Sequence, residues 1–372
     1  MTKGKKDPPK NVDLIFDIRN SSVGLGIVEI KKNEKIIIHT ERKYSNPAVI
    51  KDVETFKKQI ENLTDDLIDI FLDFKKNNNI IKVQNINCVF STPWYEANID
   101  DLTFSESKKT KFTKKYLEEK ITKVDHDKSL KIVEDSIISI FLNGYDTENP
   151  FNKKFNNIKF SLYRSYIDID NKINEKISEK INHNKLNIYT HPFVILNVLR
   201  TNFHNINDFC LFDIGGEMTE ISIFRDSMFK NLITIPTGLN SIIRNISKKT
   251  NNEQITISKI KMLNLNQIKD EGLLKQINSN IEKWFNEISN TIKLNEATIS
   301  KDIFITIDKD YKKIIKDIFS KKDFYSTILN RNNEPNIRII DSVDHKNMAL
   351  YKEGVTRDPL ISIIYNFSTI EI

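Results

Sequence analysis

Between Asp208 and Ile235 apolar and polar positions alternate in blocks that predict three strands and two turns. Residues 209–212 are apolar throughout and end on Asp213, Gly215 and Gly216 form a turn, 220–224 alternate with period two, and 230–235 follow a second, polar turn. The same order stands near the start of the chain. There 14–16 is the apolar run, Asp17 its acidic end, 19–22 the turn, and 23–30 and 35–39 the next two strands. Two strand-turn-strand-turn-strand units, each opening apolar-apolar-Asp-Ile, predict two related halves that face one another. Glycines let a backbone turn tightly and bring bare N–H groups up to an anion, and an adjacent carboxylate can hold a metal-bound water. Both hairpins are therefore candidate phosphate-binding elements.

Helical spacing marks 53–75, where Phe56, Ile60, Leu63, Leu67, Phe71 and Phe74 share one stripe. Such a helix is the crossover that a parallel strand at 86–91 requires. Trp94, just beyond that strand, is read as a packing residue, with an exposed anchor as the alternative. From about 104 to 185 the pattern changes. A charged helix (109–123), a strand (135–142), a turn at Asn143-Gly144-Tyr145, a strand (159–169) and an amphipathic helix (173–181) predict a compact α+β module inserted between the halves. A strand at 186–189 resumes the first half, and Pro192 begins a helix with Thr190 or His191 at its cap. His191 is read as part of that helix start and not as a catalytic group, because no Ser or Cys nucleophile motif accompanies it. Beyond Ile235 the pattern predicts a helix (240–247), a long helical stretch (256–291), a strand (303–307), a helix (311–319), a strand (336–340) and an apolar finish (359–367).

The 372 residues leave room for two domains and a large core. The predicted division is a disordered basic tail at 1–10, a first domain at 11–103 and 186–206, the insert at 104–185, and a second domain at 207–372 with a small subdomain at about 249–300. The net charge of +6 arises from 57 basic and 51 acidic residues with both signs interspersed, so no nucleic-acid partner is expected. Cys88 and Cys210 lie in apolar runs without metal-ligand spacing and read as buried, reduced thiols of a cytoplasmic protein. No apolar run approaches the roughly 20 residues that span a bilayer. The lysines of the first ten residues favour, at most, an anionic membrane surface.

The segments DIRNSSVG (17–24) and DIGGEMTE (213–220), with IPTGL (235–239) after the second, resemble the actin-like ATPase superfamily. Within it the chain looks most like the FtsA and PilM group of bacterial cell-division and type IV pilus assembly proteins, which carry a small subdomain, 1C, between the two hairpins. The resemblance runs from Val12 to about Ile363. It implies a two-domain α/β, actin-like (ribonuclease H-like) fold with the α+β insert as 1C. It also implies ATP and Mg²⁺ as cofactors, held by Asp17, Ser21, Asp213, Gly215, Gly216, Thr219 and Gly238, with Asp17 and Asp213 positioning the metal and its waters. No C-terminal amphipathic helix after a long linker is apparent, a feature usual in FtsA proteins and not in PilM proteins.

Departures from the family pattern cluster where the nucleotide would touch. Arg19 stands at a first-turn position that is normally Gly, Glu217 replaces the third glycine of the second turn, and Leu239 replaces the second glycine of IPTGL. The run IFITIDKD (303–310) stands where the adenosine loop would have a Gly-Gly pair, and the whole chain has nine glycines. A carboxylate at 217 would face phosphate charge and repel it. The expectation is a degenerate site in which Asp17 and Asp213 cap turns of a retained fold; nucleotide binding without hydrolysis and a competent ATPase are the alternatives. No general base is identifiable, Glu217 and Glu220 being the acidic residues at hand. By resemblance the protein is expected to be a cytoplasmic scaffold that takes a peptide of a membrane protein, in pilus assembly or cell division, between the first domain and the insert. A filament-forming role through self-association is the further alternative.

Overall fold

The computed structural model describes residues 10–370 apart from 33, 46–52, 79–80, 123–131, 148, 168–169, 203–205, 226–227, 249–251, 309–310, 329–333 and 341–348. The tail expected at 1–10 lies, but for Lys10, outside the described residues. The chain opens as a meander of β1 (Lys10–Ile18), β2 (Ser22–Lys31) and β3 (Glu34–Tyr44), followed by α1 (Val53–Asn77) and β4 (Ile81–Phe90). It leaves for β5 (Glu96–Lys111), α2 (Lys114–Ile121), β6 (Ile132–Leu142), β7 (Tyr145–Asp146) and β8 (Lys154–Tyr166), and returns through α3 (Asp170–Lys180), β9 (Lys185–Thr190) and α4 (His191–Asn202). A second meander, β10 (Phe209–Ile214), β11 (Thr219–Arg225) and β12 (Met228–Ile235), leads into α5 (Leu239–Ser247), α6 (Glu253–Asn264) and α7 (Glu271–Leu294). The last elements are β13 (Asp302–Thr306), α8 (Lys312–Phe319), α9 (Lys322–Ile328), β14 (Asn336–Ile339) and α10 (Pro359–Phe367).

Two five-stranded sheets have the same construction. Their orders are β3-β2-β1-β4-β9 and β12-β11-β10-β13-β14, each an antiparallel meander continued by two parallel strands. The repeat extends to register: Asp17 pairs with Gly24 across β1 and β2, and Asp213 pairs with Glu220 across β10 and β11. A third sheet, β5-β8-β6-β7, is wholly antiparallel.

Between the two large sheets lie α4 and α10. Their sequences, HPFVILNVLRTN and PLISIIYNF, are apolar on nearly every side, as helices covered on both faces must be. They share one core with Ile15 and Val89 of the first sheet and Leu211, Phe224 and Phe304 of the second. Asp358 caps α10 by accepting from the amides of Leu360 and Ile361, and Pro359 occupies the first turn, where no N–H is needed. The outer face of the first sheet is covered by α1, against which Trp94 is buried with its ring 4.8 Å from Phe56. The outer face of the second is covered by α5 to α9.

The third sheet differs from its sequence expectation in three ways. It begins at Glu96, ahead of 104, because β5 alternates exposed and half-buried positions over 16 residues that carry few apolar side chains. The helix expected at 109–123 is confined to α2, capped by Thr113, since Lys109 lies in β5 and Thr110 and Lys111 pair as strand against β8. The helix at 173–181 does not belong to this module: Ile173, Ile177 and Ile181 enter the core beneath α1 and the first sheet. The stretch at 256–291 is likewise two helices broken before Asp270, which caps α7, and both share the core of the second sheet.

Where β2 crosses α10, Gly26 has no room for a side chain: a Cβ there would stand 2.5 Å from Ile361 Cγ2 and 3.3 Å from Ile15 Cβ. Gly26→Ala is expected to lower unfolding free energy by about 1–3 kcal/mol through overpacking. Ile361→Ala alone should cost about 2–5 kcal/mol. Urea titration of the double variant should show a loss smaller than the sum of the two, because the truncated Ile361 makes space for the new methyl.

Candidate functional site

The two β1–β2 and β10–β11 turns meet tip to tip at the ends of the central strands. Asn20 holds them together, accepting from the Glu217 amide at 3.1 Å and donating to the Thr92 carbonyl at 3.0 Å, while Gln59 donates to the Asn20 carbonyl. The glycines of the second turn permit this approach. A Cβ on Gly215 would lie 2.6 Å from Asn20 Nδ2, one on Gly216 would collide with the Ser21 side chain, and one on Gly238 would lie 2.6 Å from the carbonyl oxygens of both Gly215 and Gly216. Asp17, Ser21, Asp213, Gly215, Gly216, Thr219 and Gly238 are thus brought to one seam between the lobes. Thr219 donates its hydroxyl to the Thr237 carbonyl at 2.8 Å.

Both aspartates are ion-paired. Asp213 Oδ1 accepts from Arg19 at 2.5 Å and from Thr306 Oγ1 at 2.7 Å, and its Oδ2 lies 2.9 Å from His191 Nδ1. Burial would raise this carboxyl, but the Arg19 guanidinium, followed by His191, holds it well below the usual carboxylate range. Arg42, on β3, donates to Asp17 Oδ2 at 2.7 Å and forks onto Asp358 at 2.7 and 3.2 Å. It reaches Asp17 because Gly24 lies opposite it across β2 and β3; a Cβ there would stand 2.5 Å from its Nη2. Asp358 is largely withdrawn from solvent, which opposes ionisation, yet Arg42 lowers its pKa.

Glu217 does not face the space expected for phosphate. Arg244 of α5 grips it with two bonds, at 2.9 and 2.8 Å, and Asn240 donates to it at 2.8 Å. The start of α5, whose amides would be available to an anion, is spent on the chain itself: the amides of Leu239 and Asn240 donate to the carbonyls of Gly215 and Gly216 at 3.1 and 2.7 Å. The Gly215 amide donates to Met218 and the Glu217 amide to Asn20. Glu220, buried on β11, accepts from the Tyr95 hydroxyl; burial pushes its pKa up to about 8, with the Asp213 charge adding to the rise.

This donor set does not fit a divalent cation. Both oxygens of Asp213 and one of Asp17 are taken, and two guanidinium groups already supply positive charge beside the carboxylates; Asp17 Oδ1 alone has no hydrogen-bond partner. Next to the turns a cavity of about 320 Å³ remains, bounded by Arg42, Tyr44, Lys261, Asp308, Tyr311 and Asp358. Among the described residues, Arg42, Tyr95, His191, Arg244 and Asp358 belong to the site but escape motif reading. Two signals were present: the glycines of VGLG across from Arg42, and Asp-Pro before an apolar run, a helix cap.

Because Asp213 is buried and paired, Arg19→Met is expected to destabilise the fold by about 3–5 kcal/mol, and Arg19→Met with Asp213→Asn by less, since no unpaired charge then remains; denaturant melts of the three chains measure it. For Glu220 the sign of the pH dependence follows from its raised pKa. The unfolded carboxyl loses its proton near 4.5 and the folded one near 8, so the folded state binds more protons between these values and stability falls as pH rises through them. Glu220→Gln should flatten that fall, gaining on the parent chain at pH 8 relative to pH 5.

No family model matches the chain, and no curated protein matches it significantly in sequence. Among solved structures, one described as the PilM-PilN type IV pilus biogenesis complex holds a chain similar at a TM-score of 0.61 and 10% identity, over 96% of this chain and 97% of that one. EutJ from Carboxydothermus hydrogenoformans matches at 0.43 and 11% identity, over 98% and 90%. A Bacteroides thetaiotaomicron protein described as having an actin-like ATPase fold and unknown function matches at 0.40 and 8%, over 90% and 94%. At such identities the likeness concerns the fold, and the match at 0.61 carries it. The chain has the actin-like ATPase fold, in a form similar to PilM.

Proposed function

We propose that this protein is an actin-like scaffold or adaptor of the PilM and FtsA kind whose nucleotide site is degenerate. It works on the cytoplasmic side of a membrane and takes a peptide of a membrane-protein partner in pilus-type assembly or cell division. The observation that carries the loss of nucleotide chemistry is the pairing of both cleft carboxylates with arginines of the first lobe, Arg19 with Asp213 and Arg42 with Asp17. A carboxylate so paired has little to offer a hydrated metal, and turn amides already bonded within the chain have little to offer phosphate. The description of the neighbour matched at a TM-score of 0.61 as a complex of two pilus-biogenesis proteins supports the partner reading. In this proposal the insert, 104–185 in the sequence division and beginning at Glu96 as a sheet, forms one wall of the peptide groove. Among the described residues no helix is long and apolar enough to cross a membrane.

A second reading, an ATP-binding protein of the same fold, is favoured by the cavity of about 320 Å³ beside Asp308 and Tyr311, which falls within the range of small-ligand sites. Calorimetric titration separates the two. The scaffold reading expects no saturable heat with Mg-ATP up to about 1 mM, a binding free energy weaker than about −4 kcal/mol. Micromolar binding that requires Mg²⁺ and is abolished by Asp213→Ala would establish the second reading instead.

A further inference from the structure

The third sheet ends in a tip where basic and aromatic side chains gather from separate parts of the sequence. Its inner end joins the body: Tyr163 bonds Thr190, the Arg200 guanidinium donates to the Ile138 carbonyl, and Ala97 and Ile99 pack on the core between the lobes. From Tyr166 at that end, β8 runs 13 residues to Lys154, a span of about 40 Å at roughly 3.3 Å per residue. At the outer end β5 finishes, α2 begins and β8 starts, so Lys108, Lys109, Lys111, Lys114, Lys115, Lys153 and Lys154 converge there, all exposed. Along the chain charges of both signs are interspersed; folding gathers seven lysines here, with Glu118, Glu119 and Asp146 as exposed acids of the same end.

Three features set this tip apart from an ordinary solvated face. Lys111 stands directly opposite Lys154 in the antiparallel register of β5 and β8, an arrangement that costs stability when no anion lies between. Among the described residues, Lys108, Lys109, Lys111, Lys153 and Lys154 form no ion pair, Glu118 and Glu119 sit 4.0 Å from Lys114 and Lys115, and Glu106 is taken by Lys120 and Tyr116. Two aromatic rings project beside the lysines: Phe151 is 49% exposed and rests with its ring 5.5 Å from the buried Phe112, and Tyr145, in the β6–β7 hairpin, is 77% exposed.

We propose that this tip docks on an anionic membrane surface, with the lysines over acidic headgroups and Phe151 and Tyr145 at the level of the interface. Unpaired lysines supply the charge complement, and a phenyl ring held outward on a buried aromatic base gives the apolar contact that a membrane interface takes up. The docking does not require a ligand in the seam between the lobes, since none of these residues lines the cavity there.

Flotation of the full chain with vesicles tests it. At about 0.1 M salt, where the Debye length is about 10 Å, the chain is expected to float with phosphatidylcholine vesicles containing roughly 30% phosphatidylglycerol and not with phosphatidylcholine alone. Replacing Lys108, Lys109, Lys111, Lys153 and Lys154 by Gln should lower partitioning by at least about tenfold without moving the thermal melt. Phe151→Ser should lower it by about threefold, and removal of residues 1–9 should leave it unchanged. No flotation of the parent chain, equal flotation of the five-Gln chain, or loss on removing residues 1–9 overturns the proposal. So does tighter, Gln-sensitive binding of a single-stranded oligonucleotide than of the acidic vesicles, which would assign the tip to nucleic acid.

Discussion

A buried ion pair between Arg19 and Asp213 joins the lobes, and much of the surrounding geometry exists to make it tolerable. Side chains exposed by only 6% and 3% have lost nearly all their water, so each charge is stable there only while the other is present. Burial disfavours the Arg19 cation, and Asp213 with Asp17 more than restores it. The pair needs the two turns at one distance, and that distance needs glycine at 215, 216 and 238, where neighbouring atoms fill the space of any Cβ. In an actin-like cleft a diffusible cation and its ligand can come and go. Here the neutralising cations are side chains of the first lobe, Arg19 reaching across to Asp213 and Arg42 pairing Asp17 within its own sheet, and both are attached to the chain.

The internal repeat shows how one backbone position acquires opposite chemistry in the two halves. Gly24 and Glu220 occupy the same register, each opposite the aspartate of its hairpin. On the first side the missing side chain lets Arg42 enter and bind Asp17, and the same guanidinium reaches Asp358, the cap of α10. One arginine therefore ties the seam to the helix packed between the sheets. On the second side Glu220 fills the position, kept close to a neutral acid by burial and matched by Tyr95 from the connection between β4 and β5. That contact links the second lobe to the stem of the third sheet.

The large features of this fold were legible because they are periodic. Both hairpins, their aspartates, α1, β4 and β13 follow from apolar runs and glycine turns that sequence pattern records directly. The third sheet was read less well because β5 carries charged and polar side chains on a strand held by its ladder to β8, a tertiary preference that overrides local propensity. At the seam, the motif identified which residues converge but not what they touch. Glu217 was expected to face phosphate; Arg244, 27 positions away and one turn into the next helix, takes it instead. His191 was read as a helix start, and it is the first residue of α4, but that start abuts Asp213, which only the three-dimensional return of the chain could reveal.

Charge distribution separates the two ends of the molecule. Within the seam each arginine has its carboxylate: Arg19 has Asp213, Arg42 has Asp17 and Asp358, and Arg244 has Glu217. Matched charges of this kind specify one arrangement of the lobes and project little field, because opposite signs lie within hydrogen-bonding distance and cancel beyond it. The unpaired lysines of the third sheet lie at the far end of strands anchored between those lobes, where salt screens their field only beyond about a Debye length and a planar anionic surface can approach several at once. The stem is tied to the body by Tyr163 on Thr190 and by Arg200 on the Ile138 carbonyl, and these contacts set where the lysines stand relative to the seam. An exposed set of lysines so placed is an oriented surface.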